Sequence, residues 1–228
     1  MIRRLLDFIT PRACVVCGKR LSPVDEVLCP ACVLHLPRTG FQRSPEDNEM
    51  ARLFWGIIPV ERAAALCYYA PGGELARAVY ELKYRGRPDV GEALGRLMAT
   101  EMQHDGFFED IDMLVPLPLT PKRRRQRGYN QSRMLALGIS EVTRLPLFDD
   151  VVCRTVFKGS QTQLSRWERR ENVENVFQLR DADGLRGRHV LLIDDIVTTG
   201  ATITACARVL QQVDGVRVSI LSLGLTKD

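Results

Sequence analysis

The sequence predicts an α/β domain built on a parallel sheet, with a small metal-held unit in front of it. Three observations carry that reading. The run Val190-Leu191-Leu192-Ile193 is continuously apolar and leads into Asp194-Asp195, so it reads as a buried parallel strand closed by two acids. The next stretch, Thr198-Thr199-Gly200-Ala201-Thr202, is small and polar and opens a segment with helical apolar spacing from Ile203 to Leu210. Near the amino terminus, Cys14-Val15-Val16-Cys17 and Cys29-Pro30-Ala31-Cys32 form two Cys-x-x-Cys pairs.

A chain of 228 residues with 45% apolar content supports one sizeable core plus a small unit. The formal net charge of +4 is mild and does not by itself indicate nucleic acid, so the local clustering of cations is what matters. No apolar stretch approaches the ~18 residues needed to span a bilayer, and Asp7 and Pro11 interrupt any leader-like run. We expect no membrane insertion and a cytoplasmic location. The seven cysteines then read as thiols or metal ligands before disulfides.

Each Cys-x-x-Cys pair places two sulfurs on one tight turn, and two such knuckles facing each other supply four thiolates for a tetrahedral zinc ion. Cys14, Cys17, Cys29 and Cys32 are the expected ligands of a structural zinc, because four protein sulfurs leave no position for water or substrate. Redox dithiols or two disulfides are the alternatives. A unit this short and polar holds no core unaided, and a metal is the common remedy. Thr39 to Glu49 turns polar, so a boundary is expected near residue 55, dividing the chain into 1–55 and 56–228.

Val60 to Ala70 is strand-forming, and Leu75, Val79 and Leu82 then repeat at helical spacing into Lys83-Tyr84-Arg85-Gly86. Lys83 sits where a substrate-facing loop would carry a cation. A second helix is expected from Val90 to about Gln103, and Ile111 to Leu119 reads as a buried strand stopped by its prolines. The most basic segment follows as a loop, with Lys122, Arg123, Arg124, Arg125 and Arg127 before Gly128 and a helix through Met134, Leu135 and Leu137. Five cations beside a helix N-terminus can neutralise a pyrophosphate or track a nucleic-acid backbone. Val151 to Arg154 is a short strand, Thr155 to Asn175 is a polar, Arg-rich stretch that reads as a lid with Arg166 and Arg170, and Arg217 to Leu223 closes the sheet.

At the carboxyl edge of a parallel sheet, the Thr198–Thr202 turn can close backbone N–H groups and hydroxyls around a phosphate at a helix N-terminus. The neighbouring acids would repel that phosphate, so they either accept hydrogen bonds from a vicinal diol or face a divalent cation. A ribose 5-phosphate meets both demands.

These stretches occur in the order of a known family. Cys14 to Cys32, Leu82 to Gly86, Val115 to Ser132, Arg154 to Asn175 and Leu191 to Thr202 together resemble the ComF (ComFC/GntX) family of amidophosphoribosyltransferase-like proteins with an amino-terminal zinc ribbon. The resemblance implies a type I phosphoribosyltransferase fold that binds phosphoribosyl pyrophosphate (PRPP) with magnesium. It makes Pro116 to Asn130 a pyrophosphate loop, Thr155 to Asn172 a lid, Asp194 and Asp195 ribose-binding acids and Thr198 to Thr202 the 5-phosphate loop. It also links the chain to natural competence and DNA uptake. Thr198 departs from the purine-salvage pattern, which has an acid there, so purine salvage is not expected. Two functions follow: transfer of phosphoribosyl to a nucleophile the sequence does not name, or a non-enzymatic module that senses PRPP or binds single-stranded DNA, with competence proteins as partners. No general base is named by the sequence.

Overall fold

The computed structural model describes residues 12–155 and 176–227. Its centre is a four-stranded parallel sheet in the order β1, β6, β5, β2, with β1 Ala63–Tyr69, β2 Met113–Pro116, β5 His189–Val197 and β6 Arg217–Thr226. Such a sheet needs strands that are apolar on both faces. The first five residues of β5 and the middle eight of β6 are buried.

The sheet departs from the sequence reading in two ways. The final strand was expected to close the sheet, but β6 lies inside it, bonded to β1 on one side and β5 on the other. An apolar run says that a strand is buried and is silent about its neighbours. The acids were expected to end β5, but pairing with β6 continues through Asp194 opposite Ser222 to Val197 opposite Leu225.

Between β1 and β2 lie α3 Glu74–Tyr84 and α4 Pro88–Met102, after two short amino-terminal helices, α1 Pro30–His35 and α2 Glu49–Arg52. The basic segment after β2, read as a loop, is instead a helix, α5 Pro121–Arg127. Thr120 caps it by accepting from the Arg123 N–H at 3.2 Å, Pro121 begins it, and Gly128 at φ 80° ends it. Helix α6 Gln131–Thr143 follows at once, its N-cap Asn130 accepting from the Ser132 N–H. Helix α4 packs on α6 closely enough that a Cβ on Gly95 would stand 2.1 Å from the Leu135 carbonyl oxygen.

Strands β3 Val152–Arg154 and β4 Phe177–Leu179 form a separate antiparallel pair, and the Thr155 N–H donates to the Val176 carbonyl at 2.8 Å. The expected lid, with Arg166 and Arg170, lies outside the described residues. Helix α7 Ala201–Leu210 joins β5 to β6. Residues 37–54 also pack on the sheet. Tyr68 N–H donates to Pro37, Ala63 N–H donates to Pro45, and the buried Asn48 amide donates to the Ala63 carbonyl.

Candidate functional site

Because successive side chains on a strand point to opposite faces, two adjacent acids on β5 meet two different layers. Asp195, 8% exposed, faces α3 and receives the Lys83 ammonium at 3.0 Å. Asp194 faces α6, where the Ser132 hydroxyl donates to its Oδ1 at 3.2 Å. The Asp195 N–H also donates to Asp194 Oδ1 at 2.8 Å. Burial, then the neighbouring Asp195 charge, push the Asp194 carboxyl up to about 7, although the Asp195 N–H, Lys83 and Ser132 pull the other way.

Directly beyond β5, a small cavity is lined by Asp194 and by residues 196–203 of the turn and the start of α7. Thr198, Thr199 and Ala201 are exposed there, while Gly200 is buried. Gly200 is the N-cap of α7 at φ 73°, and an added Cβ would lie 2.9 Å from the ring of the fully buried Phe54. The turn therefore stands, with Thr198 and Thr199 exposed, at the positive end of a ten-residue helix, a place suited to an anion.

The cations read from the sequence divide. Lys83 joins the acid pair. Arg127 is half-buried, donates to Gln131 Oε1 at 2.7 Å and lies over the Tyr84 ring at 5.7 Å. Arg123 is exposed on α5, and Gly128 shapes that helix's end. Tyr129 is half-buried and its hydroxyl donates to the Leu82 carbonyl, so it is engaged in packing.

Sequence reasoning missed two residues. Ser132 gave no signal beyond its place just after a helix cap. Arg154 ends β3 with its guanidinium over the Phe177 ring at 5.3 Å, and its buried Nε has no hydrogen-bond partner among the described residues. Burial, then the charge of Arg123, push its pKa below the ordinary arginine value, with Asp194 acting against them.

At the amino terminus, the ligand atoms of Cys14, Cys17, Cys29 and Cys32 all lie within 4.8 Å of one another. The Cys17 and Cys29 sulfurs are 3.7 Å apart, close to the ~3.8 Å edge of a tetrahedron with Zn–S near 2.3 Å. All seven cysteines are free. Burial raises the Cys14 thiol, but the N–H groups of Cys17, Cys29 and Val16 outweigh it and bring the group down to about 7. Cys32 is pushed up, first by burial and then by its sulfur neighbours. The set fits zinc. His35 stands outside it, exposed, with Nδ1 2.7 Å from the Ala31 carbonyl.

A parallel sheet whose central strand delivers two acids into a phosphate-type turn is the type I phosphoribosyltransferase fold, and residues 136–223 match the phosphoribosyl transferase domain family. The chain belongs to the ComF family. It is 31% identical over 205 residues to the DNA utilization protein YhgH of Escherichia coli (strain K12), covering 86% of this chain and 83% of that protein. It is 31% identical over 229 residues to Competence protein ComFC of Bacillus subtilis, covering 98% and 88%. Competence protein F of Haemophilus influenzae is 30% identical over 153 residues, covering 65% and 67%. Among the described residues, no helix is long and apolar enough to cross a membrane.

Proposed function

We propose that the chain binds PRPP and transfers its phosphoribosyl group to a nucleophile, in the cytoplasm and in the service of DNA uptake. The observation that carries this reading is the acid pair of β5 running straight into the Gly200 turn, with Lys83 on Asp195. In it, Thr198 to Thr202 hold the 5-phosphate and Asp194 and Asp195 orient the ribose hydroxyls. Lys83, Arg123, Arg127 and Gly128 serve the pyrophosphate, and the same role is proposed for Arg166 and Arg170, which lie outside the described residues. Magnesium, when bound, would be held near the carboxylates of Asp194 and Asp195 and would supply positive charge against the pyrophosphate. The anomeric carbon–oxygen bond breaks with its electron pair leaving on pyrophosphate, and the nucleophile's lone pair forms the new bond. Cations aimed at the leaving group stabilise the charge that builds there.

The same proposal holds a structural zinc on the four cysteines and divides the chain into a zinc-ribbon domain, 1–55, and a phosphoribosyltransferase-like domain, 56–228. The competence link draws on the names of the relatives in Bacillus subtilis and Haemophilus influenzae. Calorimetry tests the ligand. Asp195→Asn should abolish magnesium-dependent PRPP binding while leaving fold and zinc intact. Parent-like binding by that variant, or no binding by the parent at millimolar ligand, would remove the reading.

A second reading, a binding module for single-stranded DNA, is favoured by one surface. Tyr80 and Tyr84 are 49% and 65% exposed, with ring centroids 5.3 Å apart. Arg85 and Arg127 each lie 5.7 Å from one of those rings. Exposed rings interleaved with cations suit base stacking and backbone contact. Here affinity for an oligonucleotide should fall steeply with salt and drop with Tyr84→Ala.

A further inference from the structure

Helix α3 is fastened at one end to the cysteine cluster and at the other to the acid pair. In its first turn, Arg77 donates from Nη1 to the Val16 carbonyl at 2.8 Å. In its last turn, Lys83 meets Asp195 at 3.0 Å and the Leu82 carbonyl accepts from the Tyr129 hydroxyl. Arg77 and Lys83 stand about 9 Å apart along the helix axis.

Val16 is buried and lies between Cys14 and Cys17, inside the first knuckle. It faces two ways. Its N–H is among those that favour the Cys14 thiolate, and its carbonyl takes Arg77. The place of that carbonyl therefore follows the arrangement of the sulfurs, which a unit too short for a core of its own holds with a metal.

The amino-terminal end of α3 has little else to fix it. Its N-cap is Gly73, with no side chain to cap the first N–H groups, and Gly72 before it sits at φ 82°. Leu75, Ala78, Val79 and Leu82 bury one face of the helix, but apolar burial is non-directional. A charge-assisted bond from Arg77 supplies the directional contact at that end.

We infer that Arg77 is a positioning residue coupling the cysteine cluster to the acid pair. A filled cluster holds the Val16 carbonyl for Arg77, which sets α3 so that Lys83 stays on Asp195, and an emptied cluster releases the helix. The coupling belongs to the ligand-free chain. Only its effect on PRPP rests on the phosphoribosyl reading, in which metal occupancy tunes affinity from outside the site.

The test is hydrogen exchange over residues 80–85 in the full chain, for the parent, Arg77→Met and Arg77→Lys, each with zinc and after chelation. Met keeps a long stem and removes the donors. With zinc bound, shown by metal analysis, Arg77→Met should exchange there about fivefold faster than the parent, with β5 and β6 unchanged. Arg77→Lys can still donate to the carbonyl and should fall between. Chelation should speed exchange about fivefold or more in the parent and less than about twofold in Arg77→Met, where the link is already cut. Magnesium-dependent PRPP binding should weaken about threefold or more in Arg77→Met.

Parent-like exchange in zinc-loaded Arg77→Met overturns the inference, as does a chelation effect of equal size in parent and variant. A parent that purifies without metal overturns it too. If chelation unfolds the sheet as well, the zinc-loaded comparison of Arg77→Met with the parent decides alone. Undiminished PRPP binding by a variant whose α3 is loosened removes the positioning role. A parent that exchanges as expected but binds no PRPP keeps the coupling and removes the phosphoribosyl reading.

Discussion

The cysteine cluster and the acid pair are both small constellations of ionisable side chains, yet they are assembled by opposite means. The cluster comes from two short knuckles, each fixed by its own turn. The Gly18 N–H donates to the Cys14 carbonyl and the Val33 N–H to the Cys29 carbonyl. The acid pair comes from one strand but is finished by α3 on one face and α6 on the other. A site made of local turns depends on its metal to hold the pieces together. A site made by a sheet depends on burial, and it carries the electrostatic cost of that burial whether or not a ligand is present.

The largest effect should fall on the cluster. Structural zinc contributes about 10–16 kcal/mol of apparent binding energy in small peptides, so Cys29→Ser should unfold the amino-terminal unit while the sheet stays folded. Metal analysis together with hydrogen exchange checks this, and uniform loss of protection through β5 and β6 would show that the two regions are not separable.

Gly200→Val should come next. It places a β-branched residue at φ 73° with its Cβ 2.9 Å from the Phe54 ring, and we expect about 2–4 kcal/mol of destabilisation by urea titration. A parent-like midpoint would mean that the turn relaxes freely and is not held by packing on Phe54.

Asp194→Asn should move stability in the opposite direction. The folded-state value near 7 stands above the ordinary 3.8, so the folded chain holds a proton that the unfolded chain releases between those values. The resulting stability is present at low pH and lost as pH rises through about 7. Removing the charge should therefore stabilise the ligand-free protein at pH 8 by about 1–3 kcal/mol and flatten the pH profile between 4 and 8. An unchanged profile would deny the site its stored electrostatic cost.

Thr199→Ala should show the smallest effect. Its exposed hydroxyl adds one hydrogen bond to a turn that works mainly through N–H groups, so ribose 5-phosphate binding should weaken by about 0.5–1.5 kcal/mol with no change in melting temperature. A loss of binding well beyond one hydrogen bond would move the anion contact from backbone to side chain.

Short spacing encodes the parts of this protein that can be read locally. The two Cys-x-x-Cys turns, the apolar run into Asp194-Asp195 and the glycine-bearing turn into α7 are each local, so pattern and chemistry suffice to read them. Even the helix at Pro121–Arg127 was within reach, since Thr120 and Pro121 are a helix start and Gly128 a helix end. Five cations obscured it by suggesting a solvated loop. Long-range packing settles that β6 sits inside the sheet, that Lys83 meets Asp195, that Ser132 meets Asp194 and that the Arg154 guanidinium lies over Phe177. These contacts join residues far apart in the chain through the packing of helices on a parallel sheet, and burial depends on what a residue is packed against, which no local pattern records.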